Sequence, residues 1–150
     1  MYLRHLISIV FFLTSLAGSS GAWAQPGPCT SAVLASQGQV DAFDCDSVSG
    51  NLSIIGKVNN VNSLSILTSV GGNLSIVGAL ALTNLDGLAN LTSVGDDLII
   101  ESNNNLTDLN GLANLTSVGG NLVIKTNLDL ENLNGLASIT SVGGNLNIVS

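Results

Sequence analysis

From residue 67 onward, apolar positions return with a fixed period of 24 residues. The lines are LTSVGGNLSIVGALALTNLDGLAN (67–90), LTSVGDDLIIESNNNLTDLNGLAN (91–114) and LTSVGGNLVIKTNLDLENLNGLAS (115–138). A fourth, ITSVGGNLNIVS, starts at 139 and reaches Ser150. A short fixed period predicts one supersecondary unit stacked on copies of itself, a solenoid.

Within the unit, Leu74, Leu98, Leu122 and Leu146 form one column, and Ile76, Ile100, Ile124 and Ile148 form another two residues on. Ser75, Ile99, Val123 and Asn147 lie between them and vary in polarity. Apolar–variable–apolar is the pattern of a short strand with one face buried. It predicts one strand per repeat and a parallel sheet along the solenoid. The second half of the unit has leucines three apart, as in Leu82, Leu85 and Leu88, with Gly87, Gly111 and Gly135 before the last of each set. Those glycines and the Asn/Asp-rich flanks oppose a helix, so extended segments and tight turns are expected. The columns of Leu67 and Val70 complete the core. Roughly seven apolar side chains per turn, at about 1.5–3 kcal/mol each, are the main term opposing chain entropy.

Val-Gly-Gly-Asn precedes most of the strands, and Val-Gly-Asp-Asp (94–97) precedes one. Glycine at this corner is expected to supply a positive φ. Asn51, Asn73, Asp97, Asn121 and Asn145 then stack at the corner, where their side chains can satisfy unpaired backbone groups. A structural turn ladder is the expected role; a ligand-binding ladder is the alternative. The first turn is the same unit shortened by two residues between Ile54 and Val58, and its register puts Cys45 in the column of Leu67. Ser31 to Phe43 carries no repeat, and Val33, Leu34, Val40 and Phe43 suit a short amphipathic helix capping the solenoid.

The N-terminus has a different character. Arg4 and His5 precede an apolar run from Leu6 to Leu16 and an Ala22-Trp23-Ala24 cleavage pattern. Residues 1–24 therefore read as a secretory signal peptide, with an uncleaved anchor as the alternative. The expected layout is a leader (1–24), an N-terminal cap (25–50) and solenoid repeats (51–150). Export favours a disulfide between Cys29 and Cys45 over two free thiols. The mature chain is expected to be extracellular or held at the cell surface or envelope, without inserting into the membrane.

Composition then removes whole classes of function. The formal net charge is −7, and it becomes one unit more negative when Arg4 leaves with the leader. Lys57 and Lys125 are the only cations after the leader, which excludes nucleic acid as a partner. No histidine follows His5, so no Ser-His-Asp or Cys-His arrangement can form, and no zinc set is available. Asp96, Asp97, Glu101, Asp108, Asp129 and Glu131 are the carboxylates from which a glycoside-hydrolysing pair could come, but no aromatic platform accompanies them. Asp86 and Asp108 are too sparse for calcium. No cofactor is expected, and the expectation is a protein that is not an enzyme.

The outward column Ser53, Ser75, Ile99, Val123 and Asn147 is the candidate interaction face, because its middle is apolar where water is expected. Strand propensity alone is the competing reading. Asn51, Asn73, Asn90, Asn105 and Asn114 begin Asn-x-Ser/Thr triplets, which the repeat generates readily. An uncapped last turn would expose sheet edge and leucine core, so end-to-end self-association or a longer natural chain is expected.

One resemblance emerges from these elements. The lead-in ending Ala42-Phe43-Asp44-Cys45, followed by Val-x-Gly-x-Leu-x-Ile and Leu-x-x-Leu-x-Gly-Leu, resembles the receptor L-domain family over residues 29–150. The resemblance implies an all-β, leucine-rich-repeat-like, right-handed parallel β-helix, here of about five turns. It implies an extracellular or surface location and no enzymatic activity. The expected function is an exported module for protein or surface-polymer interaction. The alternative is a structural spacer or the N-terminal part of a larger envelope protein.

Overall fold

The structure, a computed structural model, describes residues 26–149. The leader expected at 1–24 lies outside the described residues. The chain is mainly short strands in two parallel sheets. One sheet has the order β1-β3-β5-β7-β9-β11 and the other β12-β10-β8-β6-β4-β2. The strands of the first are β1 (Gly27–Cys29), β3 (Cys45–Val48), β5 (Ser69–Val70), β7 (Ser93–Val94), β9 (Ser117–Val118) and β11 (Ser141–Val142). Those of the second are β2 (Ala32–Ser36), β4 (Leu52–Lys57), β6 (Leu74–Val77), β8 (Leu98–Glu101), β10 (Leu122–Lys125) and β12 (Leu146–Val149). A repeat therefore supplies two strands, where its alternation predicted one. The Ser-Val strand is two residues long, too short for a period of two to register.

The third side of each turn is a 3-10 turn, as at Asp86–Leu88, Asn110–Leu112 and Asn134–Leu136. Gly87, Gly111 and Gly135 sit inside these turns. A Cβ at any of them would overlap the carbonyl of Val61, Leu85 or Leu109 on the preceding turn. Here glycine permits close stacking of successive turns; it does not break a helix.

Register runs straight up the stack. Leu52, Leu74, Leu98, Leu122 and Leu146 are successive partners, as are Ile54, Ile76, Ile100, Ile124 and Ile148. Side chains of both columns point inward. In the middle turn, Leu91, Val94, Leu98, Ile100, Leu106, Leu109 and Leu112 are all buried. Leu122 and Ile124 are 3% and 2% exposed, while Leu146 and Ile148 on the last strand are 62% and 41% exposed.

The cap differs from the expected helix. Only Gln37–Asp41 is helical (α1), and Ala32–Ser36 is strand β2. The free edge of β4 explains this, because it pairs Ala32 with Leu52 and Leu34 with Ile54. Leu34 thereby joins the inward column at 5% exposure, and Val33 faces outward at 52%. Adjacent apolar residues at 33 and 34 fit either structure, and the pairing partner decides between them. The cap is thus a degenerate turn of the solenoid, with Val40 and Phe43 buried as its core. A disulfide joins Cys29 to Cys45, Cα to Cα 5.8 Å, tying β1 to the next strand of its sheet.

Candidate functional site

The corner before each long strand carries a continuous hydrogen-bonded ladder. The Asn73 backbone N–H donates to Asn51 Oδ1 at 2.9 Å, Asp97 N–H to Asn73 Oδ1 at 2.9 Å and Asn145 N–H to Asn121 Oδ1 at 2.8 Å. Ser31 Oγ starts the series by accepting from Asn51 N–H at 3.1 Å. Asp97 is the one carboxylate in the column. It accepts from Asn121 N–H at 2.6 Å and from Asn121 Nδ2 at 3.0 Å, the contraction expected of a charged acceptor.

Glycine at this corner does not serve a positive φ, contrary to expectation. A Cβ on Gly71, Gly95, Gly119 or Gly143 would overlap a backbone carbonyl one turn below. Asp96 stands where other turns have a second glycine. Its N–H reaches Gly72 O at 3.2 Å, against 2.8 Å for Gly120 N–H to Asp96 O. Positive φ occurs at the other end of the strand, at Gly56 (68°), Gly78 (64°), Ser102 (58°) and Thr126 (51°).

That far corner holds a second ladder that was not read from the sequence. Asn103 and Asn127 are 0% and 4% exposed. Asn103 Oδ1 accepts from Ala79 N–H at 2.9 Å, and its Nδ2 donates to Ile76 O at 2.9 Å and to Asn127 Oδ1 at 3.2 Å. Asn127 Oδ1 also accepts from Asn103 N–H at 3.0 Å. In the first ladder each backbone N–H donates to the side chain of the turn before it. In this one the acceptor belongs to the turn after. The signal in the sequence was the pair of asparagines 24 apart at 103 and 127, hidden in a polar run that resembled a loop.

The five residues of the candidate face fall in one column. Ser53, Ser75, Ile99, Val123 and Asn147 are successive register partners on the outer side of the second sheet. The first four are half-buried and Asn147 is exposed. Val33 extends the column below Ser53. A parallel outward column lies two residues on: Ile55, Val77, Glu101, Lys125 and Val149. Across the two columns Ile55 and Val77 sit beside Ser53 and Ser75, and Ile99 and Val123 sit beside Glu101 and Lys125 on the next two rungs, so the apolar residues form a diagonal band, with Lys57 at the end of β4.

The candidate carboxylates are spread along the stack, and the described residues hold no group of three or more His, Cys, Asp or Glu placed to bind a metal ion. No helix among them is long and apolar enough to cross a membrane. Of the Asn-x-Ser/Thr asparagines, Asn90, Asn105 and Asn114 donate Nδ2 to the Ser65, Leu80 and Ala89 carbonyls, each at 2.7 Å. A glycan on any of these three would break a contact between turns.

No curated protein matches the chain. No solved structure matches it either. The family described as the receptor L domain matches residues 44–120, about half of the chain. The match begins at the end of the cap and runs through the first full-length repeats and past β9, the segment in which both sheets and the 3-10 side are stacked in register. On that match, the chain belongs to the receptor L-domain family.

Proposed function

We propose that this protein is an exported, non-enzymatic recognition module, acting at the cell surface or envelope by binding a protein or surface polymer through the outer side of the β2–β12 sheet. One observation carries the reading. Two adjacent outward columns carry a diagonal apolar band, Ile55 and Val77 in one and Ile99 and Val123 on the next two rungs of the other, on a surface that would otherwise face water. Family membership supports it, since receptor L domains are extracellular ligand-binding modules. The disulfide supports export. In this reading residues 1–24 are a cleaved leader, 25–50 the cap and 51–150 the repeats, wound right-handed in about five turns.

A structural spacer in the envelope is the second reading. The unbroken ladder from Ser31 to Asn145 favours it, because it stiffens the stack along its length.

The test is saturable binding of the purified, oxidised protein to isolated envelope fractions. Replacing Ile99 and Val123 together by Asp should lower affinity at least tenfold while leaving the unfolding midpoint nearly unchanged. Unchanged binding would exclude this face. No saturable binding by either protein would favour the spacer.

A further inference from the structure

The 3-10 side of the solenoid holds two reactive pairs that neither the stacking nor the recognition face uses. Asn110-Gly111 and Asn134-Gly135 are the Asn-Gly pairs of the sequence, and Asp86-Gly87 holds the same position one turn earlier. Each pair opens a 3-10 turn. Asn110 and Asn134 are exposed, as is Asp86. Their backbone N–H groups donate to Asp108 Oδ1 at 2.9 Å and to Asn132 Oδ1 at 3.0 Å. Among the described residues their side-chain amides make no hydrogen bond, and the Gly111 and Gly135 N–H groups have no acceptor. Other repeated asparagines are spent differently: Asn90, Asn105 and Asn114 donate to carbonyls between turns, and Asn103 and Asn127 are buried.

A free carboxamide followed by a glycine amide is the pair best suited to intramolecular ring closure, because glycine puts no side chain in the path of its own nitrogen. The closed turn opposes that reaction. A 3-10 turn holds ψ at about −20 to −30°, and a five-membered ring through Asn110 Cγ needs ψ turned well away from that value. Turning it breaks the bonds from Leu112 N–H to Leu109 O at 2.8 Å and from Ala113 N–H to Asn110 O at 3.1 Å. It also lifts Gly111 off the Leu85 carbonyl against which it packs. At the second site the corresponding bonds are Leu136 N–H to Leu133 O at 2.9 Å and Ala137 N–H to Asn134 O at 3.2 Å.

We propose that Asn110 and Asn134 are sites of spontaneous deamidation, gated by local opening of their 3-10 turns. In the opened turn Gly111 N attacks Asn110 Cγ. A new N–Cγ bond forms, the Cγ–Nδ2 bond breaks, and the glycine proton leaves with the amine as ammonia. Water then opens the resulting succinimide. Cleavage at Cγ gives aspartate, and cleavage at the main-chain carbonyl gives isoaspartate; no electrons are transferred. The fold distinguishes the two products. Asp86 shows that aspartate fits, since its turn closes with Leu88 N–H to Leu85 O at 2.8 Å. Isoaspartate routes the main chain through Cβ and adds one carbon ahead of Gly111, which has no room to shift against the Leu85 carbonyl. Each event also adds a negative charge near Asp86 and Asp108 in an already acidic chain. The modification is therefore an irreversible record of opening on this side of the stack. It does not depend on the recognition reading, and either can hold without the other.

The experiment ages the purified, oxidised chain at pH 8 and 37 °C, in buffer and in 6 M guanidinium chloride. Cleavage after Lys57 and Lys125 puts the two sites on separate peptides, 58–125 and 126–150, and tandem mass spectrometry locates each amide-to-acid exchange. Exchange is expected at Asn110 and Asn134 ahead of every other asparagine, and at least tenfold faster in denaturant than in buffer. Asn110→Asp should refold with an unfolding midpoint close to that of the parent. Chain aged in denaturant and resistant to an Asp-specific protease at position 110, which marks isoaspartate, should refold with a lower midpoint. No exchange at either site overturns the proposal. Equal rates in buffer and denaturant overturn the gating by the turn. An isoaspartate chain as stable as Asn110→Asp overturns the selection between products.

Discussion

Replacing Asn103 by Ala tests how much the buried ladder holds. The Asn103 side chain is wholly buried and makes three hydrogen bonds: it accepts from Ala79 N–H and donates to Ile76 O and Asn127 Oδ1. Alanine removes all three. The Ala79 N–H is then left without an acceptor in a place water does not reach, at about 1–3 kcal/mol, and the two lost bonds to oxygen add roughly 0.5–1.5 kcal/mol each. The expected loss is about 3 kcal/mol, a large share of the stability of a small domain. Asn90→Ala is the control, since it removes one exposed bond to Ser65 O and should cost about 1 kcal/mol or less. Both are measured by urea unfolding followed by far-UV circular dichroism, comparing midpoints because stacked repeats can depart from two-state behaviour. If Asn103→Ala costs no more than Asn90→Ala, the buried ladder does not carry the weight assigned to it.

Four further perturbations bear on the same architecture. Thr126 holds φ 51° where Gly56 and Gly78 occupy the matching corner, so Thr126→Gly should raise stability by about 1 kcal/mol and Gly78→Ala should lower it by a similar amount in the same urea assay. Gly111→Ala should destabilise the fold by more than the ~1 kcal/mol that helix propensity would gain, because its Cβ overlaps the Leu85 carbonyl; a neutral result in thermal melts contradicts the stacking argument. Replacing Cys29 and Cys45 by Ala opens a loop with a sequence separation of 16. It should cost about 3 kcal/mol, and amide exchange should quicken first in Ala32–Ser36 and Gln37–Asp41.

The stack, its register and its core were legible in the sequence because a 24-residue period displays them directly. Leu74 and Ile76 sit where their alternation places them, and Asn73 and Asp97 share the corner their spacing defines. The missed features are those in which one turn answers to another. Gly71 and Gly87 look alike in sequence to any flexible glycine, and only the carbonyl stacked beneath each explains them. Ala32–Ser36 carries no repeat, so its strand character comes from the β4 edge that captures it. Asn103 sits in Ser-Asn-Asn-Asn-Leu, which reads as a polar loop until Asn127 is seen directly above it. The candidate face was placed from one column, and its second column emerged only with the register of Ile55 and Val77.

The most direct measurement of the recognition reading is site-specific photo-cross-linking in cells that export the protein. A benzophenone amino acid is placed in turn at Ile99, at Asn110 on the 3-10 side and at Ser93 on the opposite sheet. A discrete covalent adduct to a protein or envelope polymer from position 99, absent from position 110, is the predicted result. Equal labelling from all three positions, or adducts from 110 alone, would contradict a recognition surface on the β2–β12 sheet.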